Sequence, residues 1–165
     1  MIALEQVTAQ NVLIFKAARL CALRYTPKAF GSTFEKESQL TDADWLARAG
    51  QWCGKKSVLY LAMEQGAACG MAGSLLDPDD AARASLVSMW TAPTYRRRGI
   101  GRLLVNEILA WGRLRQARTL RLMVTCNNEA AILFYQRLGF ERTGRTEPYP
   151  NDSALIEYEM SRPVF

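Results

Sequence analysis

The order of elements legible in this chain predicts an α/β fold: a mixed, mostly antiparallel sheet of about seven strands with helices on both faces. Two observations carry that prediction. Strand-like runs follow one another through hairpin-type turns in the middle of the chain, and helical runs separate the later strands, giving β-α-α-β-β-β-α-β-α-β-β. The 165 residues also contain no repeat, linker or low-complexity tract, and 49% of them are apolar. Residues 1–165 are therefore read as one domain that buries a core without disulfide or metal staples.

Taken in order, residues 2–7 form a short first strand, and Thr8 then caps a helix whose Ile14, Ala17, Ala18, Cys21 and Tyr25 recur on one face. Pro27 stops that helix because its ring disfavours a helical residue before it, and Lys28 to Phe34 read as loop. Thr41 with Asp42 and Asp44 starts a second helix around Trp45 and Leu46, since carboxylates favour the positive end of a helix. Ser57 to Met63 is rich in strand formers, and Gln65-Gly66 turns the chain into a partner strand from Ala68 to Leu76. After the loop Asp77-Pro78-Asp79-Asp80, a further strand runs from Ala84 to Thr91 and is closed by Pro93. Ile100, Leu103, Leu104, Ile108 and Trp111 then recur at helical spacing. Leu120, Leu122 and Val124 alternate with Thr119, Arg121 and Met123, the pattern of a half-buried strand. Asn127-Asn128 opens a short helix through Leu138, with Gly139 as its C-terminal glycine. Two strands close the chain, the last with Ala154, Ile156, Tyr158 and Met160 inward and Leu155, Glu157 and Glu159 outward.

Composition removes several classes of function. The chain has no histidine, which excludes His-based triads, most zinc geometries and the usual general base near neutral pH, and no metal site is expected. Cys21, Cys53, Cys69 and Cys126 lie far apart without a C-x-x-C pair, and no N-terminal run has the make-up of an export signal. Free thiols in a reducing cytoplasm are expected. Apolar runs fall short of the roughly 18 residues of a membrane span, so no membrane association is expected. A net charge of +5 attracts anions of many kinds without choosing among them. The Arg96–Arg98 cluster lacks interleaved aromatics, and nucleic acid is not an expected partner.

The most informative stretch is Thr91-Ala92-Pro93-Thr94-Tyr95-Arg96-Arg97-Arg98-Gly99-Ile100-Gly101-Arg102, between a strand and a strongly amphipathic helix. The start of a helix carries unpaired N–H groups and a partial positive charge, so a tight loop there cradles a phosphate. Gly99 and Gly101 let the backbone approach an anion closely, and the arginines add charge-assisted hydrogen bonds. The competing reading is a solvated surface loop. The string is neither a dinucleotide fingerprint nor a P-loop, because it lacks the third glycine of the one and the Gly-Lys-Ser/Thr of the other.

Arg96-x-x-Gly99-x-Gly101 resembles the Gln/Arg-x-x-Gly-x-Gly/Ala signature of the GNAT superfamily of N-acetyltransferases. Downstream, Asn128, Ala131, Tyr135, Gly139 and Phe140 stand at the spacing of that superfamily's second signature. Upstream, Pro27 to Glu37 is similar to a first-helix region common in its bacterial members. The resemblance runs from the first strand to about Arg162 and implies a sheet splayed between strands four and five, with acetyl-CoA as co-substrate. It implies that the backbone of Met89, Trp90 and Thr91 pairs with the pantetheine arm like an added strand. The segment Arg96, Arg97, Arg98, Gly99, Ile100, Gly101 and Arg102 would hold the pyrophosphate. Asn128 would contact the cofactor or cap its helix, and Phe134 would line the thiol end or pack in the core. Phe30, Phe34, Tyr149 and also Trp45 fall where the acceptor pocket of such proteins forms. The acceptor class is a small-molecule amine or a protein N-terminus, and dimers are common among proteins of this kind.

Acetyl transfer needs a neutral amine, a stabilised oxyanion and a protonated leaving thiolate. A lysine-like amine of pKa about 10.4 costs roughly 4 kcal/mol to deprotonate near neutrality, so a base helps greatly. A backbone N–H of the fourth strand can polarise the thioester carbonyl. By resemblance, Tyr135 is the acid for the thiolate; packing is its alternative role. The base is not obvious: many members carry a glutamate on the fourth strand, yet here it reads Ala84-Ser85-Leu86-Val87-Ser88-Met89-Trp90. Glu35 and Glu37, near the acceptor region, are the remaining candidates. A non-catalytic acyl-CoA-binding module is the alternative that a missing base suggests.

Overall fold

The computed structural model describes residues 1–165. Its elements are β1 (Ala3–Gln6), α1 (Val12–Tyr25), α2 (Phe34–Glu37), α3 (Asp42–Trp52), β2 (Ser57–Glu64), β3 (Ala67–Leu76), β4 (Arg83–Thr91), α4 (Ile100–Leu114), β5 (Thr119–Thr125), α5 (Glu129–Arg137), β6 (Glu141–Tyr149) and β7 (Asp152–Pro163). The seven strands form one sheet in the order β1-β2-β3-β4-β5-β7-β6. Every neighbouring pair is antiparallel except β4–β5. Single 3-10 turns at Pro27–Ala29 and Pro93–Tyr95 break the two long connections. The predicted architecture, including the splay between strands four and five, is the one found.

Two apolar clusters sit on opposite faces of the sheet. One joins α4 and α5 to Val58, Ala72, Leu86, Leu120, Leu122 and Met160. The other joins α1 and α3 to Leu59, Leu61, Met71 and Trp90. Strand alternation divides the side chains between the two cores, as the period of two requires. The turn at Gln65-Gly66 has φ of 52° and 81°, left-handed at both positions, which matches the twist of a two-residue hairpin.

Local expectations fail where several apolar faces compete. Helix α1 begins after Asn11, not Thr8, and the face it buries is Val12, Phe15, Ala18, Ala22 and Leu23. Tyr25 is 69% exposed and Cys21 is also exposed, because the face turned to α3 and the sheet is the one with Val12, Phe15 and Leu23; the helix starts three residues later than Thr8 implies. In α4 the buried stripe is Ile100, Leu104, Val105, Ile108, Leu109, Trp111 and Gly112, and Leu103 is 45% exposed. Of the supposed inward set on the last strand, only Met160 is fully buried, and Ile156 is 41% exposed. The end of the sheet formed by β6 and the start of β7 has no helix over it, so alternation there does not separate core from solvent.

The geometry of β4 and β5 positions the site. They pair only through Arg83–Thr119, Ala84–Leu120 and Ser85–Arg121, and beyond that the strands diverge. A polar network pins the closed end. Asp77 takes Arg83 at 2.6 Å and Arg121 at 3.1 Å, while Arg121 also reaches Ser85 Oγ at 3.1 Å and Glu159 at 3.4 Å. Charge-assisted bonds of this kind tie the two strands where they touch, and leave them free to part further along.

Candidate active site

The divergence opens a cavity of about 1010 Å³ between β4 and β5. One end is the loop at the start of α4. There Arg97 and Gly99 have φ of 64° and 82°, so the main chain alternates hand and turns successive N–H groups toward one point. The amides of Arg97 to Arg102 donate to no carbonyl of the chain, as the first turn of a helix requires, and Gly99 has nothing within 4 Å of where a Cβ would stand. Arg96, Arg97, Gly99, Ile100, Gly101 and Arg102 line the cavity. Arg98 does not: its guanidinium lies 4.9 Å above the Tyr95 ring and 3.8 Å from Glu64. The arrangement is a cradle of main-chain donors and arginines that fits a diphosphate.

Met89, Trp90 and Thr91 form the cavity wall on β4, and the β5-facing edge of that stretch has no strand partner. Its backbone is bent at Ser88, whose φ is 55°. A bend at an unpaired strand edge leaves main-chain groups free for an extended ligand, which fits a pantetheine arm.

The second signature reads structurally as one helix with engineered ends. Asn128 Oδ1 accepts from the Ala131 amide at 3.3 Å, so Asn128 is the cap of α5, and it also lines the cavity. At the other end Gly139 is left-handed with φ of 89°, and the Phe140 amide returns to the Tyr135 carbonyl at 3.0 Å. That turn sets Phe140 edge-on to Tyr135 at 5.6 Å, with Phe134 on another side at 5.2 Å. Burial pushes the Tyr135 hydroxyl well above its ordinary value, so it stands as a neutral donor at physiological pH. Phe134 also explains Gly101: a Cβ there would stand 2.9 Å from the Phe134 ring and 3.3 Å from Met89 Cε.

The acceptor end is built from the loop after α1. Phe30 is buried and lines the cavity under Arg19, whose guanidinium is 4.7 Å from its ring. Tyr149 lines it too, but its hydroxyl donates to the loop, 2.8 Å from Phe30 O and 3.1 Å from Pro27 O, so it anchors the loop. Phe34 lies outside the main cavity, in a smaller adjoining depression beneath Arg24. Trp45 is wholly enclosed in the α1–α3 core against Phe15 and has no surface in the pocket.

Neither glutamate considered as a base reaches the cavity. Glu35 lies on the adjoining depression. Glu37 is buried and held by Arg19 at 3.0 Å and Arg48 at 2.8 Å. Burial alone would raise its carboxyl, but the hydrogen bond and charge of Arg19, with Ser32 and Arg48, outweigh that and hold it below 4.5. Residues that the sequence reading did not single out line the cavity instead: Arg19, Lys28, Thr125, Glu147 and Glu157. The alternation of Glu157 and Glu159 against Tyr158 and Met160 was the available signal. It separates two faces correctly, and the face assigned to solvent is the face of the cleft.

A splayed strand pair, a donor cradle at a helix start and a buried tyrosine thus meet around one cleft. The sequence profile of the acetyltransferase (GNAT) family matches residues 22–140, and the chain belongs to that family. It is 37% identical over 70 residues to the N-alpha-acetyltransferase RimI of Mycobacterium tuberculosis, a match covering 42% of each chain. It is 36% identical over 86 residues to the ribosomal protein bS18 alanine N-acetyltransferase of Salmonella typhimurium, covering 49% of this chain and 56% of that one. The chain thus spans about half the length of these curated relatives. In fold, it is similar over its full length to a GNAT-family acetyltransferase of Streptococcus pneumoniae, which it covers completely, with a TM-score of 0.83 at 19% identity. It is likewise similar over its full length to yncA of Salmonella typhimurium, solved with its cofactor acetyl-CoA, covering 95% of that chain with a TM-score of 0.79 at 15% identity. No helix is long and apolar enough to cross a membrane.

Proposed function

We propose that the protein is an acetyl-CoA-dependent N-acetyltransferase that moves the acetyl group to a primary amine by direct attack in a ternary complex. The observation that carries this reading is the run of unengaged amides from Arg97 to Arg102, in a loop that lines the same cavity as Tyr135. The cradle and Arg96, Arg97 and Arg102 hold the diphosphate by charge-assisted bonds, and the free edge of Met89–Thr91 aligns the arm above Gly101. A main-chain N–H of that edge stabilises the oxyanion as the amine adds. Tyr135, protonated near neutrality as a phenol is, gives its proton to the departing thiolate.

For the acceptor we propose a protein α-amino group. The names of the two curated relatives support this, and so does chemistry. An α-amino group of pKa about 7.7–8.0 costs only about 1 kcal/mol to deprotonate near neutrality, against about 4 to 5 for a lysine side chain. The test is a screen that follows thiol release from acetyl-CoA with peptides bearing free N-terminal alanine, with polyamines, aminoglycosides and free amino acids. The expected result is steady turnover with one or more N-terminal peptides. Turnover with polyamines or aminoglycosides alone would overturn the acceptor assignment, and none with any amine would overturn the activity.

A further inference from the structure

We infer that Glu157, set beside Glu147, receives the acceptor as an ammonium ion and removes its proton, supplying from the last strand the carboxylate that the fourth strand lacks. The inference rests on the acetyl-transfer reading above and assigns a residue and a charge state to it.

Register places the pair. Glu157 stands directly opposite Glu147 on β6 and directly opposite Thr125 on β5, so all three lie on one face of the sheet. All three line the cavity that Tyr135 also lines. Thr125 Oγ donates to the Lys28 carbonyl at 3.0 Å, which ties the acceptor loop to this part of the sheet.

Most of the other charged groups around Glu157 are already committed. Glu147 is engaged by Arg145 at 2.9 Å, and both of those side chains are about half exposed. Glu159, the next residue on the same face, takes Arg121 at 3.4 Å and the Thr143 hydroxyl at 2.9 Å. Arg121 is shared with Asp77 at 3.1 Å. Arg19, across the cavity, is held by Glu37 and donates to Ser88 Oγ at 3.2 Å. Lys28 lines the cavity from the loop and makes no ion pair. Glu157 itself has neither a cation nor a hydrogen-bond donor as partner. Burial, and then the charge of Glu147, raise its carboxyl above 4.5.

Like charges directly opposite across a strand pair repel, and in a partly buried cleft the repulsion is poorly screened. An ammonium ion entering between Phe30 and the pair relieves it, whereas a carboxylate would add to it. Burial, the larger cause of the raised basicity of Glu157, persists once the ammonium has entered and serves the next step. One proton passes from the ammonium nitrogen to the Glu157 carboxylate, and the freed lone pair forms the N–C bond. As the C–S bond breaks, the sulfur takes the Tyr135 proton, and the surplus proton on nitrogen restores the Tyr135 hydroxyl. Glu157 releases its proton to water, so the sum is amide, free thiol and one proton.

The test uses the full chain and a peptide with a free N-terminal alanine, with the remaining amines of the screen run in parallel. Glu157→Gln is expected to lower kcat/KM by about 10²- to 10⁴-fold and to remove the acidic limb of its pH profile, with the acetyl-CoA-induced rise in Tm retained. Glu157→Asp recovers part of the loss with the acidic limb present. Glu147→Gln moves that limb to lower pH, because removing the neighbouring negative charge makes Glu157 easier to ionise. A ¹³C-carboxyl titration of Glu157 by NMR, which needs no acceptor, should show the same downward move in Glu147→Gln. Wild-type turnover with an unchanged rate and profile in Glu157→Gln, or a limb and a titration that ignore Glu147→Gln, would overturn the inference and leave acetyl transfer standing. Wild-type inactivity with every amine would instead overturn the activity itself.

Discussion

Tyr135 illustrates how packing sets chemistry at the scale of one residue. Its ring is held between Phe134 and Phe140, and the same burial that fixes the ring raises the pKa of the hydroxyl. Replacing it by phenylalanine preserves those ring contacts and deletes only the proton donor. Turnover in Tyr135→Phe, followed as thiol release, should fall by about 10²- to 10⁴-fold while acetyl-CoA binding persists. An undiminished rate would assign the tyrosine to packing. Glu37 shows the opposite outcome for a carboxylate. Held by two arginines and buried, it has a folded pKa below its unfolded one. Its contribution to stability is therefore complete above about pH 4.5 and is lost as pH falls through the folded value. Glu37→Gln strands two guanidinium groups, and removing one partner of a buried pair costs about 3–5 kcal/mol. Urea titrations should show that loss at neutral pH, and a shallower decline between pH 5 and 3 than the wild type shows. Equal curves would place the Arg19–Glu37 contact outside the folding energetics.

At the scale of elements, the start of α4 and the second half of α5 meet through one missing methyl group. Gly101 has an ordinary helical conformation, so alanine there would favour the helix, and the main penalty is the 2.9 Å approach to Phe134, with Met89 Cε next at 3.3 Å. Overpacking of this kind costs typically about 1–3 kcal/mol. The Phe134 ring borders the cavity and gives way into it, so the cost falls on the ligand. Gly101→Ala should weaken acetyl-CoA binding about tenfold, equivalent to about 1.4 kcal/mol, and adding Phe134→Leu should restore it. Calorimetry on the two variants tests this; a double variant no better than the single one would place the cost elsewhere. Gly99 differs in kind. Its left-handed φ of 82° is what aims the cradle, and its open surroundings leave room for an anion.

Across the whole molecule, the sheet is two halves joined by three residue pairs and a polar clasp. Antiparallel β1–β4 carries α1 and α3, while β5, β7 and β6 carry the acceptor face. A ligand lying between β4 and β5 binds only when both halves are in place, so it stabilises the folded state as a unit. At a concentration 100 times its Kd, acetyl-CoA should add about 2.7 kcal/mol, which for a domain of this size is a rise in Tm of roughly 5–10 °C. Gly99→Glu sets a carboxylate and a side chain in the cradle and should abolish the rise. A melting curve unmoved by millimolar acetyl-CoA would remove the basis of the proposed function.

The amino-acid sequence by itself determined the element order apart from the short helix α2, the hairpin turn at Gln65-Gly66, the cradle before Ile100 and the helix that carries Tyr135. Each depends on neighbours a few residues apart: a left-handed position, a cap, a repeat of apolar residues. Tertiary structure alone decided which face each strand turned to the cleft, that Glu37 is locked in an ion pair, that Arg98 points away, and that Glu157 meets Glu147 inside the cavity. Those outcomes depend on which strands become neighbours and which sheet face is left without a helix. Alternation along a strand separates two faces and says nothing of what each will meet, because that is settled by contacts between residues distant in the chain.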